Sequence, residues 1–434
     1  MSQWGVVVGG AVVVAYGALS RRLSTTVLSG PLVFVVCGLA IGPLGLDLLS
    51  ADRDLEVTRT LLESALVLVL FTDAAAIRIR DLRREEFLPL RLLVVGLPLT
   101  MALGWLLAWP LLPGLSVWEL ALVAIILAPT DAALGQQAFS NERVPALVRG
   151  GLGVESGLND GLALPFFVLA LAAAGESEGH PGVIVTFMRA LLLSGAIGIA
   201  AGWAGASVLR WSADRGWSIP DWRQFLTFAV PLIAYALCAA GEGSGFIGAW
   251  VAGLVFGSRL RGALLERGSW IGGPDPAQST EFSARLGLLL ASVSFLAFGA
   301  VILGPTLQHM TWQMIVYALI SLTVVRMLPV AIAMAGTGLR NVSVAYIGWF
   351  GPRGLASLVF GLLAFEEHLP GTAQLNGVIA MTVGLSVLLH GATAPFLGNR
   401  YGDWFTKTLR TEPGMRENAL AGDSAPGVRG PHSP

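Results

Sequence analysis

Charge is what this sequence has least of: only 13% of its 434 residues are Asp, Glu, Lys or Arg, against roughly a quarter in soluble globular domains. With 54% hydrophobic side chains and a mean hydropathy of +0.71, the composition excludes a cytosolic enzyme and points to a membrane protein. Charge of one sign is missing as well, since 27 basic and 28 acidic residues leave a net charge of −1. A nucleic-acid partner therefore has no electrostatic support. Cysteine occurs twice, as Cys37 and Cys238 in separate apolar runs, which argues against a disulfide framework or a thiolate metal site. Lysine occurs once, as Lys407 in Trp404-Phe-Thr-Lys-Thr, with no Gly-rich phosphate loop around it. No nucleotide, no ATP-driven pump and no resident cofactor is expected.

What is present is a series of apolar runs of helical length. They lie near 4–20, 26–45, 60–77, 91–110, 118–138, 147–173, 186–209, 224–240, 245–258, 283–304, 312–335, 344–364 and 374–396, an all-α polytopic membrane protein with thirteen spans. Sorting the basic residues by loop tests this count. With the N-terminus outside, Arg21-Arg22, Arg78 to Arg84, Arg143 and Arg149, Arg210, Arg215 and Arg223, Arg259, Arg261 and Arg267, Arg340, and Arg400, Lys407 and Arg410 all fall inside. Only Arg53, Arg59 and Arg189 fall outside, where loops 175–178, 241–244 and 366–368 are acidic. This is the positive-inside distribution. It places the protein in lipid as a multi-pass protein of the cell (inner or cytoplasmic) membrane, C-terminus in the cytoplasm. Run 1 is followed, not preceded, by its arginines, the reverse of a secretory signal, and is kept as a mature helix. Residues 1–410 form the membrane domain, and 411–434, short of large apolar residues, are expected to be a disordered tail dispensable for the chemistry.

An internal echo accompanies the runs. Cys37-Gly-Leu-Ala-Ile-Gly42 in span 2 resembles Ala252-Gly-Leu-Val-Phe-Gly257 in span 9, and Pro129 in span 5 has a counterpart in Pro352 of span 12. Both pairs are seven spans apart, and an odd offset inverts topology, as in transporters built around a midplane site.

Asp131, Glu155, Asp160, Arg326 and Arg353 stand out as ionisable residues well inside their runs. Pro129 breaks hydrogen bonding just before Thr130 and Asp131, so span 5 is expected to be a discontinuous helix whose ends line a cavity. In span 6, Glu155-Ser156-Gly-Leu-Asn159-Asp160 puts Glu155 over Asn159 and Ser156 over Asp160, two adjoining columns of oxygen ligands. Such oxygens suit a hard monovalent cation rather than a transition metal. Arg326 in span 11 and Arg353 in span 12 complete the set. Each charge costs about 2.5–3.5 kcal/mol in the bilayer if unpaired. Three acids against two bases leave one negative charge for a cation or a proton. A kink with Asp131 as a buried cap, and a hydrogen-bonded helix contact at 155–160, are the structural alternatives.

At these residues the sequence resembles the NhaP-type sodium/proton antiporters of the monovalent cation:proton antiporter-1 family, related to NHE exchangers. The resemblance rests on Gly38 to Pro43, Thr130-Asp131, Glu155 to Asp160, Gly245 to Gly253, Arg326 and Gly351-Pro-Arg353-Gly354, and covers nearly the whole membrane part. It implies inverted repeats (spans 1–6 and 8–13) with crossed broken helices in spans 5 and 12. Spans 4–6 and 11–13 would form an ion-transporting core moving against a dimerisation part of spans 1–3 and 8–10 in a homodimer. It further implies that Asp160 carries the cation or the proton, that Thr130, Asp131 and Ser156 supply more cation oxygens, and that Asn159 orients Glu155, the ion-pair partner of Arg326. Arg353 would offset negative charge at a half-helix C-terminus. Ala132 departs from the family, many members of which have Pro there, so the place of the break is left open. The function implied is electroneutral exchange of one Na+ for one H+. A K+/H+ antiporter of the same fold and a proton-gated channel are the alternatives, whereas an intramembrane aspartyl protease lacks its Gly-x-Gly-Asp motif.

Overall fold

The structure, a computed structural model, describes residues 3–23, 26, 28–77, 88–139, 141–175, 182–266 and 276–418. Arg78, Arg80, Arg83, Arg84 and Arg267, the acidic Glu176 and Glu178, and the tail from Ala419 lie outside them. Every regular element among the described residues is helical, as lipid requires, because a helix pairs its own backbone groups where water cannot. The chain runs through α1 (Gln3–Leu23), α2 (Gly30–Ile41), α3 (Ala51–Ala76), α4 (Leu88–Leu111), α5 (Val117–Ile126), α6 (Ala132–Phe139), α7 (Ala146–Gly175) and α8 (Val183–Asp214). It continues with α9 (Pro220–Ala240), α10 (Gly245–Glu266) and α11 (Pro276–Ala297, prolonged through a π-helical turn at Phe298–Leu303 to Gly304–Gln308). The remaining helices are α12 (Trp312–Leu322), α13 (Val324–Ala333), α14 (Asn341–Trp349), α15 (Leu355–Glu366) and α16 (Thr372–Thr411). Among the described residues, seven stretches are long and apolar enough to cross a bilayer alone.

The helices overrun the apolar runs where charge is locally satisfied. α3 begins at Ala51 because Asp54 accepts the Ser50 N–H at 3.1 Å, and because Arg59 pairs with Glu63 one turn on, at 2.6 Å. α16 continues past 396 with Gly398, Tyr401 and Gly402 buried; a Cβ on Gly402 would strike Arg143.

The echoed glycines explain the packing. Gly38 and Gly42 lie so close to the α11 backbone at Leu296 and Ala300 that no Cβ fits, and Gly253 and Gly257 lie equally close to the α3 backbone at Phe71 and Ala75. Glycines four apart let two helix backbones touch. Shifting by seven spans turns α2 into α10 and α11 into α3, so the two contacts are one contact repeated, an inverted-repeat-like packing. Around them α3 packs on α10 and α11, and α8 on α9 and α10, while α4 to α7 pack with α12 to α16.

The chain beyond α16 does not leave the protein at Thr411. Residues 412–418 fold back, with Met415 and Glu417 buried. Arg340 precedes α14 without a capping side chain, and Glu417 supplies the cap: its Oε1 accepts the Arg340 N–H at 2.9 Å and the Ser343 hydroxyl at 2.6 Å. Residues 412–418, with Met415 their one large apolar side chain, looked like free chain because a cap from another segment has no local signature. Glu417→Ala is expected to cost about 1–2 kcal/mol, seen as a lower Tm of the detergent-solubilised protein. Glu417→Gln, which keeps an acceptor, should lose less; an unchanged Tm in both would deny the cap.

Candidate functional site

Two helical runs are broken midway along their length. α5 stops at Ile126 and α6 starts at Ala132; α14 stops at Trp349 and α15 starts at Leu355. Pro129 and Pro352 lack the donor a helix needs and push the residue before them out of helical conformation. The absence of Pro at 132 does not move the first break, because Ala132 is the first helical residue, where Pro is favoured but not required. The breaks cross. The Asp131 N–H donates to the Pro352 carbonyl at 2.8 Å, and Gly354 has no room for a Cβ beside the Asp131 carboxylate.

Four half-helix ends meet here, and each has an opposite charge or dipole. Asp131 Oδ1 accepts the Leu134 N–H of α6 at 3.0 Å, and Oδ2 accepts the Leu355 N–H of α15 at 2.7 Å. One carboxylate thus caps both N-termini, where the helix dipole favours an anion. At the C-terminal end of α5, Arg353 Nη1 donates to the Ala128 and Pro129 carbonyls at 2.7 and 2.9 Å, and Ser357 to the Ile126 carbonyl at 2.7 Å. Arg326 lies against Gly351 just past the end of α14 and forms a bidentate ion pair with Glu155 at 2.5 and 2.8 Å, both side chains buried.

Beside this crossing, α7 presents the oxygen cluster. α7 stays helical through Pro165. Thr130 Oγ1 and Ser156 Oγ are 2.9 Å apart, and the Asn159 amide donates to Thr130 Oγ1 at 2.6 Å. Asn159 therefore serves Thr130 and not Glu155, whose two oxygens are taken by Arg326. Asp160 shares its helix face with Ser156, and its Oδ1 is buried without a hydrogen-bond partner, as is Asn159 Oδ1. Buried oxygens normally find partners, and two left open side by side in sequence mark a place for a cation, a proton or water.

Sequence reasoning missed Asp73 and His390. Asp73 comes from α3, on the other side of the site: a Cβ on Gly157 would stand 3.5 Å from its Cβ, and Asp73, Asp131 and Asp160 are within electrostatic reach of one another. The acids therefore number four against two arginines, not three. The rule applied to the other spans would have found it, since Asp73 stands inside the run 60–77. His390 on α16 is buried; its Nε2 is 2.9 Å from the Trp349 carbonyl that ends α14, and its Nδ1 is 3.2 Å from Ser386 Oγ, which accepts the Arg353 N–H at 2.7 Å. It holds both edges of the second break to one turn of α16.

Known proteins resemble this chain in sequence and in fold. The family model described as sodium/hydrogen exchanger, transmembrane, matches residues 9–400. A Na(+)/H(+) antiporter of Saccharomyces cerevisiae is 27% identical over 367 residues, covering 76% of this chain and 34% of its own length. A K(+)/H(+) antiporter, NhaP2, of Shewanella baltica is 26% identical over 402 residues, covering 88% of this chain and 64% of its own. The chain thus spans about a third to two thirds of the length of these curated relatives. Among solved structures, the sodium proton antiporter MjNhaP1 from Methanocaldococcus jannaschii superposes with a TM-score of 0.73 at 20% identity, over 90% of this chain and all of that one. The fold is that of a polytopic all-α membrane protein with broken helices.

Proposed function

The chain belongs to the sodium/hydrogen exchanger family, and from that premise we propose that it is a secondary antiporter that exchanges Na+ for H+ across the membrane, one for one, at a single site opened alternately to the two sides. The observation that carries this reading is Asp160. It is the core carboxylate with a buried oxygen left unpartnered, whereas Glu155 is held by Arg326 and Asp131 by two helix N-termini. Asp160 binds either the proton or the cation, with Ser156, Thr130 and the free Asn159 Oδ1 as neutral cation ligands; Asp131 sets the crossing beside them and offers its field.

Exclusive occupancy gives the coupling. A core that rearranges when Asp160 is neutralised by either ion, but not when it is bare, moves one ion each way, because carrying an unpaired charge through the low-dielectric seam is costly. We assign α4 to α7 and α12 to α16 as the moving core, and α1 to α3 with α9 to α11 as the part that pairs with a second copy. The thirteen spans run with the N-terminus outside and the C-terminus in the cytoplasm of the cell membrane. Asp73 stays with α3, so it draws cations to the site without adding to the charge that travels.

Proteoliposomes test the reading. A Na+ gradient should drive saturable, opposite proton movement; flux that does not saturate, or that carries no protons, would mean a channel. K+ is the competing cargo, named for the Shewanella relative, and larger proton flux with K+ than with Na+ would reassign it. Because one charge is exchanged for one, an imposed membrane potential should leave steady-state ion gradients unchanged, and voltage-driven Na+ uptake would overturn the stoichiometry.

A further inference from the structure

One contact between the two halves of the molecule sits next to Asp160. A Cβ on Gly161, the following residue of α7, would fall inside the ring system of Trp250 of α10, so the indole is seated in a notch that only glycine leaves. Trp250 packs against a buried cluster made of Leu93 of α4, Leu158 of α7 and Ile77, which Val154 and Leu254 also pack against. Its Nε1 is buried without a hydrogen-bond partner. Packing alone holds the ring there, with no directional bond to break when it leaves.

The two ends of the same seam are packed differently. Towards the end of α7 that carries Arg149, Gln136, Gly153 and Ala76 are exposed and Gly157 and Asp73 half-buried, whereas Asp160 itself is buried. At the opposite end Leu62, Leu66, Phe298 and Leu303 pack in one cluster with Leu355, Leu358 and Val359, and Arg59 of α3 pairs with Glu366 of α15. Beside Asp160 the seam is thus packed more loosely towards the inner end than at the outer one, where the gap left between α3, α11 and α15 is lined by Leu55, Val301, Leu358 and Phe365, and Trp250 sits in the notch.

We propose that Trp250 is a positioning residue for transport: its ring, seated on Gly161, is the stop that fixes the height of Asp160 and stabilises the inward-open state over the outward-open one. The inference rests on the alternating-access reading above. Sliding the core past α10 must lift Gly161 off the ring, so the seat counts in one state only, and a contact made in one of two states shifts their ratio. Affinity seen from each face scales with the population open to that face.

The test is the ratio of half-saturating cation concentrations, inner face over outer face, in oriented proteoliposomes. Trp250→Ala and Gly161→Ala attack the contact from opposite sides, and both should raise this ratio by on the order of fivefold or more, with Trp250→Phe in between. A ratio unchanged in both variants, or lowered, overturns the proposal, because a general folding defect reduces the number of active molecules and leaves the ratio alone. The wild-type protein reports separately on the antiport reading. A second readout is free of transport: with Cys37 and Cys238 replaced by alanine, Asp160→Cys should be labelled by a membrane-impermeant thiol reagent from inside, and adding Trp250→Ala should raise outside labelling. Outside labelling that does not change overturns the proposal even if no exchange is found.

Discussion

Asp160→Asn is expected to abolish cation-driven proton movement while the protein remains folded and in the membrane. Asparagine keeps the size of the side chain and removes only its capacity to exchange a charge for a proton. The fold should tolerate this, because Asp160 Oδ1 makes no hydrogen bond that the substitution would break, and losing a buried charge without a fixed partner removes a cost instead of adding one. Proton flux should fall to the level of empty liposomes, with Tm unchanged or raised. Asp131→Asn forms the contrast. Its carboxylate caps α6 and α15 together, and an amide presents one acceptor where two amides need one each. That variant should lose stability along with transport, so a Tm that falls separates the cap from the carrier. Wild-type exchange in Asp160→Asn would end the assignment of Asp160.

Most of the architecture could be read from the sequence, because burying a backbone in lipid forces long uncharged runs and makes each charge within them conspicuous. Pro129 gave away the first break for the same reason, since a missing donor has no substitute in hydrocarbon, while the second, at Pro352, came with the family resemblance. What could not be read was which end meets which. An aspartate after a proline reads equally as a cap or as an ion ligand, and only the arrival of α15 at Asp131 in space commits both oxygens. The resemblance assigned Asn159 to Glu155, one turn away on α7, yet a helix neighbour loses to Thr130 once the first break is folded against α7. Asp73 near the end of α3 resembles a residue marking the edge of a span; its nearness to Gly157 is a property of packing between the two repeats. Glu417 had no signal at all, since a polar tail gains a role only through the uncapped end of α14.

The largest effects on stability should come from Glu155 and Arg326. Their bidentate contact is buried at both ends, and removing one partner of such a pair strands a charge at a cost of about 3–5 kcal/mol, whereas removing both can be nearly neutral. The two single losses should not be equal. In Glu155→Gln the Arg326 guanidinium is left within reach of Arg353, a like charge; in Arg326→Gln the Glu155 carboxylate is left within reach of the same Arg353, an opposite one. Glu155→Gln should therefore lower Tm more than Arg326→Gln. The double variant should recover much of the loss, though not all, because Arg326 also lies against Gly351 at the second break and a glutamine is too short to fill that place. Additive losses in the double variant would dissolve the pair and turn Glu155 into a ligand of the transported ion. Recovery of Tm without recovery of exchange would show that the pair, while not itself the site, holds α7 and α13 at the spacing the Asp160 site requires.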